Sequence, residues 1–258
     1  MAKHNITIKE LTVPVSAIRK LSPHERYAYY LLGHIFNELM YLQKLTSFAM
    51  PKHKDTRAVR LGPELAQTLF ILRIAASKVW EADICLTKHA VASVLKQTIF
   101  PLFPEGRVML DTLQIKLKKA KWLSHIRNKL SFHYPKMEDW RDVTTPTETW
   151  EDDSILMGDL SSNMFYSASE SIAQHWMFGR IDMSDPKIGV RPMIEDMADL
   201  LSLMCTLLDE LLTVFLREII LDGNTEPKQI GKVSAADINS FAIPFWIHNP
   251  STKNSGNK

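Results

Sequence analysis

Very little in this chain of 258 residues can cross-link. Its two cysteines, Cys85 and Cys205, stand in apolar stretches, so each reads as a small buried hydrophobe and no disulfide framework is available. A chain of this length can bury a core without such staples. Glycine-rich phosphate loops, metal-binding cysteine pairs, His-Glu metal motifs and internal repeats are all absent, so the sequence implies no metal and no cofactor. The first ten residues, Met-Ala-Lys-His-Asn-Ile-Thr-Ile-Lys-Glu, lack the apolar centre of a signal peptide. The one long apolar segment, Leu200 to Leu216, carries Asp209 and Glu210 at its middle, where a bilayer would penalise them. A cytoplasmic protein with no membrane partner is expected. Charge of one sign is scarce too: the formal net charge is +2, so affinity for nucleic acid must come from local clustering.

What the chain does have is helical periodicity. Ser22-Pro-His-Glu25 supplies an N-cap, a proline at the first helical position and the glutamate of a capping box. The helix it opens shows Leu31, Leu32, Ile35, Phe36, Leu39, Leu42 and Leu45 at core spacing. After a charged connection, Pro51 to Ala58, whose Lys52, His53, Lys54 and Arg57 are solvated or touch RNA, Pro63 and Glu64 open a second helix. It is apolar on most of its circumference, hence central, with Glu81 and Asp83 as boundary charges. Pro104 and Glu105 start a third, running through Leu113 and Leu117 toward Trp122. A last long helix begins near Pro192 and stops at Gly223, its methionines filling core or marking a dimer surface.

The fold expected is all-α, an up-and-down bundle of about four to five long helices over residues 22–223. Residues 1–21 form an arm whose Ile6-Thr-Ile-Lys-Glu-Leu-Thr-Val stretch suits an edge strand or an arm across a partner. Residues 136–167, after the third helix, are a polar insertion anchored by Trp140 and Trp150, with β-prone clusters at Ile155-Leu-Met and Met164-Phe-Tyr that suit a small hairpin. Residues 224–258 hold an apolar patch, Phe241 to Ile247, expected to dock on the bundle before a polar tail. His175 reads as a surface or interface histidine.

Polar chemistry gathers in Trp122-Leu-Ser-His-Ile-Arg-Asn-Lys-Leu-Ser-Phe-His-Tyr-Pro135. Leu123, Ile126, Leu130 and Phe132 make a buried stripe that Arg127, Asn128 and His133 cannot all follow. Pro135 disfavours helix at Tyr134, which puts His133 at a helix C-terminus, where the carbonyl dipoles favour the protonated ring by about 0.3–1 kcal/mol. Such an imidazole titrates near neutrality and can move protons. On an ideal helix Arg127 and His133 point about 120° apart and are ~9 Å apart along the axis. One phosphate reaches both only if the last turn loosens or a second copy of the segment completes the site. Lys116, Lys118, Lys119, Lys121 and Lys129 surround the segment with no acid between them, a cationic approach suited to a phosphate backbone.

Arg127, Asn128 directly after it, and His133 five residues beyond that resemble the signature of the HEPN superfamily. The resemblance covers the helical part of the chain, Ser22 to Gly223, and not its ends. It implies a helical bundle acting as a homodimer through the motif helix, with RNA as substrate, no metal, and an antitoxin as a further partner in a toxin-antitoxin or abortive-infection setting. Arg127, His133 and Asn128 would be catalytic, the five lysines would hold RNA, and Asn37, Glu38 and Tyr134 would support them. Family members modified by a partner nucleotidyltransferase carry a tyrosine two residues after the histidine. Here Tyr134 follows directly and Pro135 takes that place, so that modification does not carry over. Two other classes stay open: a non-catalytic module binding nucleotide, RNA or protein, and a scaffold in which Arg127 pairs with Glu38 or another carboxylate.

Overall fold

In the computed structural model, residues 4–129, 134–144, 152–178, 186–223 and 226–248 are described. The chain is mostly helical, with two small two-stranded sheets among the described residues. Strand β1 (His4–Glu10) and the short α1 (Val15–Lys20) precede three long elements, α2 (Pro23–Ala49), α3 (Ala58–Lys88) and, after α4 (Ala90–Val94) and a π-helical turn (Leu95–Ile99), α5 (Pro104–Lys119). Helices α6 (Trp122–Lys129) and α7 (Met137–Thr144) follow, then hairpin β2 (Ile155–Met157) and β3 (Met164–Tyr166), α8 (Ser167–Phe178), α9 (Pro186–Val214) with a π-helical end (Phe215–Ile220), and β4 (Lys228–Ala235).

The start of α2 is a full capping box: Ser22 Oγ accepts from the Glu25 amide at 3.3 Å and the Ser22 amide donates to Glu25 Oε2 at 2.9 Å. Its buried stripe is Ala28, Leu32, Ile35, Leu39, Thr46 and Ala49, while Leu45 lies off it in solvent. Helix α3 is central, packing against α2, α4, α6, α8 and α9 through Leu69, Leu72, Ala75, Ala76, Val79, Ala82 and Leu86. Met193, Met197 and Met204 of α9 are buried in this same core, so the methionines fill it rather than face a second copy. Cys205 is buried, whereas Cys85 is half-exposed.

Three boundaries differ from the sequence expectation. Helix α3 begins at Ala58, ahead of Pro63, which therefore sits inside the helix. A proline there cannot donate to the carbonyl four residues back. That carbonyl, Val59 O, instead accepts the indole N–H of Trp246 at 3.0 Å. Helix α9 begins at Pro186, whose fixed φ suits a first helical position, and not near Pro192. Helix α5 stops before the motif: Ala120 leaves helical geometry at φ −75° and ψ 65°, and α6 starts afresh at Trp122. The far end of α9 closes as its glycine predicts, with Gly223 at φ +79° donating its amide to Arg217 O at 2.8 Å.

The two ends of the chain meet. Strand β1 pairs antiparallel with β4 from His4↔Ala235 to Glu10↔Lys228, with an irregularity between Ile8 and Lys9. Beyond β4 the segment Phe241–Ile247 lies along the start of α3 and the hairpin. Ile243 N donates to Phe48 O at 2.9 Å, Lys52 Nζ donates to the carbonyls of Ile238 and Phe241, and Phe245 meets Phe165 edge-on at 5.8 Å. Asn163 of the hairpin, only 6% exposed, clasps Ile247 by two bonds, accepting its amide at 3.0 Å and donating to its carbonyl at 2.7 Å.

Candidate functional site

The motif helix α6 lies on α3 with Trp122, Leu123 and Ile126 buried. Leu123 and Ile126 are the first half of the expected stripe; Leu130 and Phe132 fall outside the described residues, as does His133. Burial of that face leaves Arg127 partly exposed at the end of the helix. Its Nε and Nη2 donate to Glu81 Oε1 at 3.0 and 2.7 Å, and its Nη1 donates to Asn128 Oδ1 at 2.8 Å. A guanidinium has five N–H donors, so two remain for a phosphate. The charge of Arg127 is partly met, and its plane is set by α3 and by the residue that follows it.

Glu81, read from the sequence only as a boundary charge, is the carboxylate that meets Arg127. Glu38, expected to support Arg127, is taken by Lys78, whose Nζ donates to both its oxygens at 2.8 and 2.9 Å, with His34 Nε2 at 3.7 Å. Lys78 and Glu81 stand three residues apart on α3, so α3 lies between α2 and the motif and serves each with a different charge. Asn37 is exposed on α2 and makes no hydrogen bond to Arg127 among the described residues. Tyr134 is 98% exposed. The signal for Glu81 was its acidity on an otherwise apolar helix.

The five lysines divide. Lys116 Nζ pairs with Asp199 Oδ2 at 2.9 Å, and Lys129 Nζ with Asp139 Oδ1 at 3.3 Å. Lys118, Lys119 and Lys121 are exposed and form no ion pair among the described residues. In the earlier charged connection, His53 Nε2 meets the buried Glu64 at 2.5 Å, which commits that ring to the fold, whereas Arg57 pairs with its loop neighbour Asp55 and stays exposed.

Aromatic groups brace α6 from its other side. The Trp122 indole donates to Asp196 Oδ2 at 3.1 Å, and the His125 ring meets Trp176 edge-on at 5.6 Å. Trp140, on α7, packs against the same Trp176 at 6.5 Å. Helix α7 thus anchors the insertion as expected of Trp140, while Trp150 lies outside the described residues. His175 is exposed, its Nδ1 against Ser171 O at 2.8 Å.

No group of three or more His, Cys, Asp or Glu among the described residues could hold a metal ion, and none of the described helices is long and apolar enough to cross a membrane. No protein-family model, curated protein or solved structure matches the chain.

Proposed function

We propose that the chain is a HEPN-type, metal-independent endoribonuclease whose long helices form an up-and-down bundle. The observation that carries this reading is Arg127, fixed by Glu81 and Asn128 with two N–H groups to spare, together with the exposed Lys118, Lys119 and Lys121 ahead of its helix, which form no ion pair among the described residues. In the reaction the RNA 2′-oxygen forms a bond to the adjacent phosphorus and the bond to the 5′-oxygen breaks. His133 takes the 2′-hydroxyl proton or gives one to the leaving oxygen, and Arg127 stabilises the charge on the pentacovalent phosphate. The products are a cyclic phosphate and a 5′-hydroxyl, and DNA, without the nucleophile, is spared. A homodimer brings two motif helices together so that one copy supplies the group the other cannot reach. A cytoplasmic toxin-antitoxin or abortive-infection role, with an antitoxin protein as partner, belongs to the same proposal.

The test is cleavage of a labelled structured RNA in EDTA by the wild type and by His133→Ala, with product ends identified. Cyclic phosphate that disappears in the variant supports the assignment; equal cutting by both refutes it. A non-catalytic module remains the alternative, expected to bind RNA with strong salt dependence and no turnover. The Arg127–Glu81 pair also favours a scaffold reading, in which Arg127→Ala changes stability and neither RNA binding nor cleavage.

A further inference from the structure

Strands β1 and β4 form a two-stranded ribbon with both faces open to solvent. Every residue of β1 is exposed except Ile8, and every residue of β4 except Gly231 and Ala235, these three being half-buried. Among the described residues no side chain of the ribbon forms a hydrogen bond or ion pair, and no backbone bond from outside the β1–β4 ladder reaches either strand. A lone two-stranded ribbon is marginal in water, whereas three or more strands with an apolar face hold together.

Residues directly opposite in the ladder share a face. His4, Ile6, Ile8 and Glu10 therefore stand on one side with Ala235, Val233, Gly231 and Lys228. Ile6 and Val233 remain 49% and 47% exposed there. Asn5, Thr7 and Lys9 stand on the other side with Ser234, Lys232 and Gln229.

The two outer edges of the ribbon differ. The register steps from Ile8↔Gly231 to Lys9↔Gln229, which leaves Ile230 as the extra residue of a bulge on β4. A bulge flanked by lysines, here Lys228 and Lys232, discourages pairing along that edge. Strand β1 runs unbroken over its seven residues.

Two antiparallel copies of β1 are related by a two-fold axis perpendicular to the sheet, which keeps each face on its own side. With the axis through Thr7 all seven residues overlap: Ile6 opposes Ile8 of the second copy, His4 opposes Glu10, Asn5 opposes Lys9, and Thr7 meets itself. Each is a favourable cross-strand pair, apolar with apolar, an imidazole N–H with a carboxylate, an amide oxygen with an ammonium, and threonine with threonine. An axis through Ile6 sets His4 against Ile8, and one through Ile8 sets Ile6 against Glu10. The strand is self-complementary about Thr7 and not about its neighbours.

We infer that the free edge of β1 is a dimerisation edge, which joins a second copy of this chain in the Thr7 register into a four-stranded sheet ordered β4-β1-β1-β4. This contact does not rest on the ribonuclease reading and is separate from the one proposed between motif helices.

The test is sedimentation equilibrium of the full-length protein over a range of concentrations, beside disulfide capture in a Cys85→Ser background. The wild type should dimerise. Ile6→Lys, which removes both Ile6–Ile8 pairs, should weaken association by about tenfold or more, and Glu10→Lys should weaken it as well, with helical circular dichroism unchanged in both. Under mild oxidation Thr7→Cys should link to itself, whereas Asn5→Cys should link to Lys9→Cys in a mixed sample and not to itself. A monomeric wild type overturns the edge, and so does Asn5→Cys linking to itself as readily as Thr7→Cys. A dimer that both Ile6→Lys and Glu10→Lys leave intact also overturns it, and leaves the motif helices as the interface.

Discussion

Arg127 and Glu81 share a single oxygen: Nε and Nη2 of the guanidinium both converge on Oε1, at 3.0 and 2.7 Å. The contact joins the end of the motif helix to the central helix, and both side chains are near half exposure, 41% and 48%. Solvent screening keeps such a pair to less than about 1 kcal/mol of stability. Its larger effect is orientation. Glu81→Gln should therefore shift the melting temperature little, tighten RNA binding by releasing a positive charge, and lower the cleavage rate by freeing the guanidinium. Arg127→Ala should abolish cleavage. Thermal melts, filter binding and single-turnover cleavage on the same variants distinguish these effects.

Burial raises the pKa of Asp83 above the ordinary carboxylate value of 3.8. Between that value and the folded pKa the native state binds more protons than the unfolded chain, so stability falls as pH rises through the interval. Asp83→Asn removes the cost of the buried charge. The variant should melt higher than the wild type at pH 7, and the advantage should vanish below about pH 4, where the unfolded carboxyl is also protonated. Calorimetric melts across pH 3–8 check the sign.

Trp246 serves the carbonyl that Pro63 leaves open at Val59. Trp246→Phe keeps most of the ring and deletes the N–H, and should cost about 0.5–1.5 kcal/mol. In a Pro63→Ala background the helix can satisfy Val59 itself, so the same substitution should cost less. A double-mutant cycle by urea denaturation measures the coupling; no coupling would separate the two residues energetically.

Cys205 is buried, and burial together with nearby Asp209 pushes its thiol pKa to about 11. Cys85 is half-exposed, and burial and Glu81 raise its pKa too. A thiol reagent at pH 8 should modify Cys85 slowly and Cys205 only on unfolding, because the thiolate is the reacting form. Peptide mapping after timed labelling gives both rates.

The helical class, the capping box at Ser22, the glycine stop at Gly223 and the central place of α3 were legible in the sequence, because each depends on local spacing or on backbone chemistry of neighbouring residues. So was the isolation of Arg127 and Asn128 on a polar face beside a buried one. Only the tertiary structure decided which carboxylate faces Arg127. Glu38 and Glu81 are both acids on long helices, and the choice turns on Lys78 standing near Glu38. It likewise separated the lysines held by Asp139 and Asp199 from Lys118, Lys119 and Lys121, which form no ion pair among the described residues. The start of α3 ahead of Pro63 was hidden for the same reason: the missing internal bond is replaced by Trp246, at the far end of the chain. Periodicity reports which face of a helix is buried, whereas partners distant in sequence are set by how those faces pack.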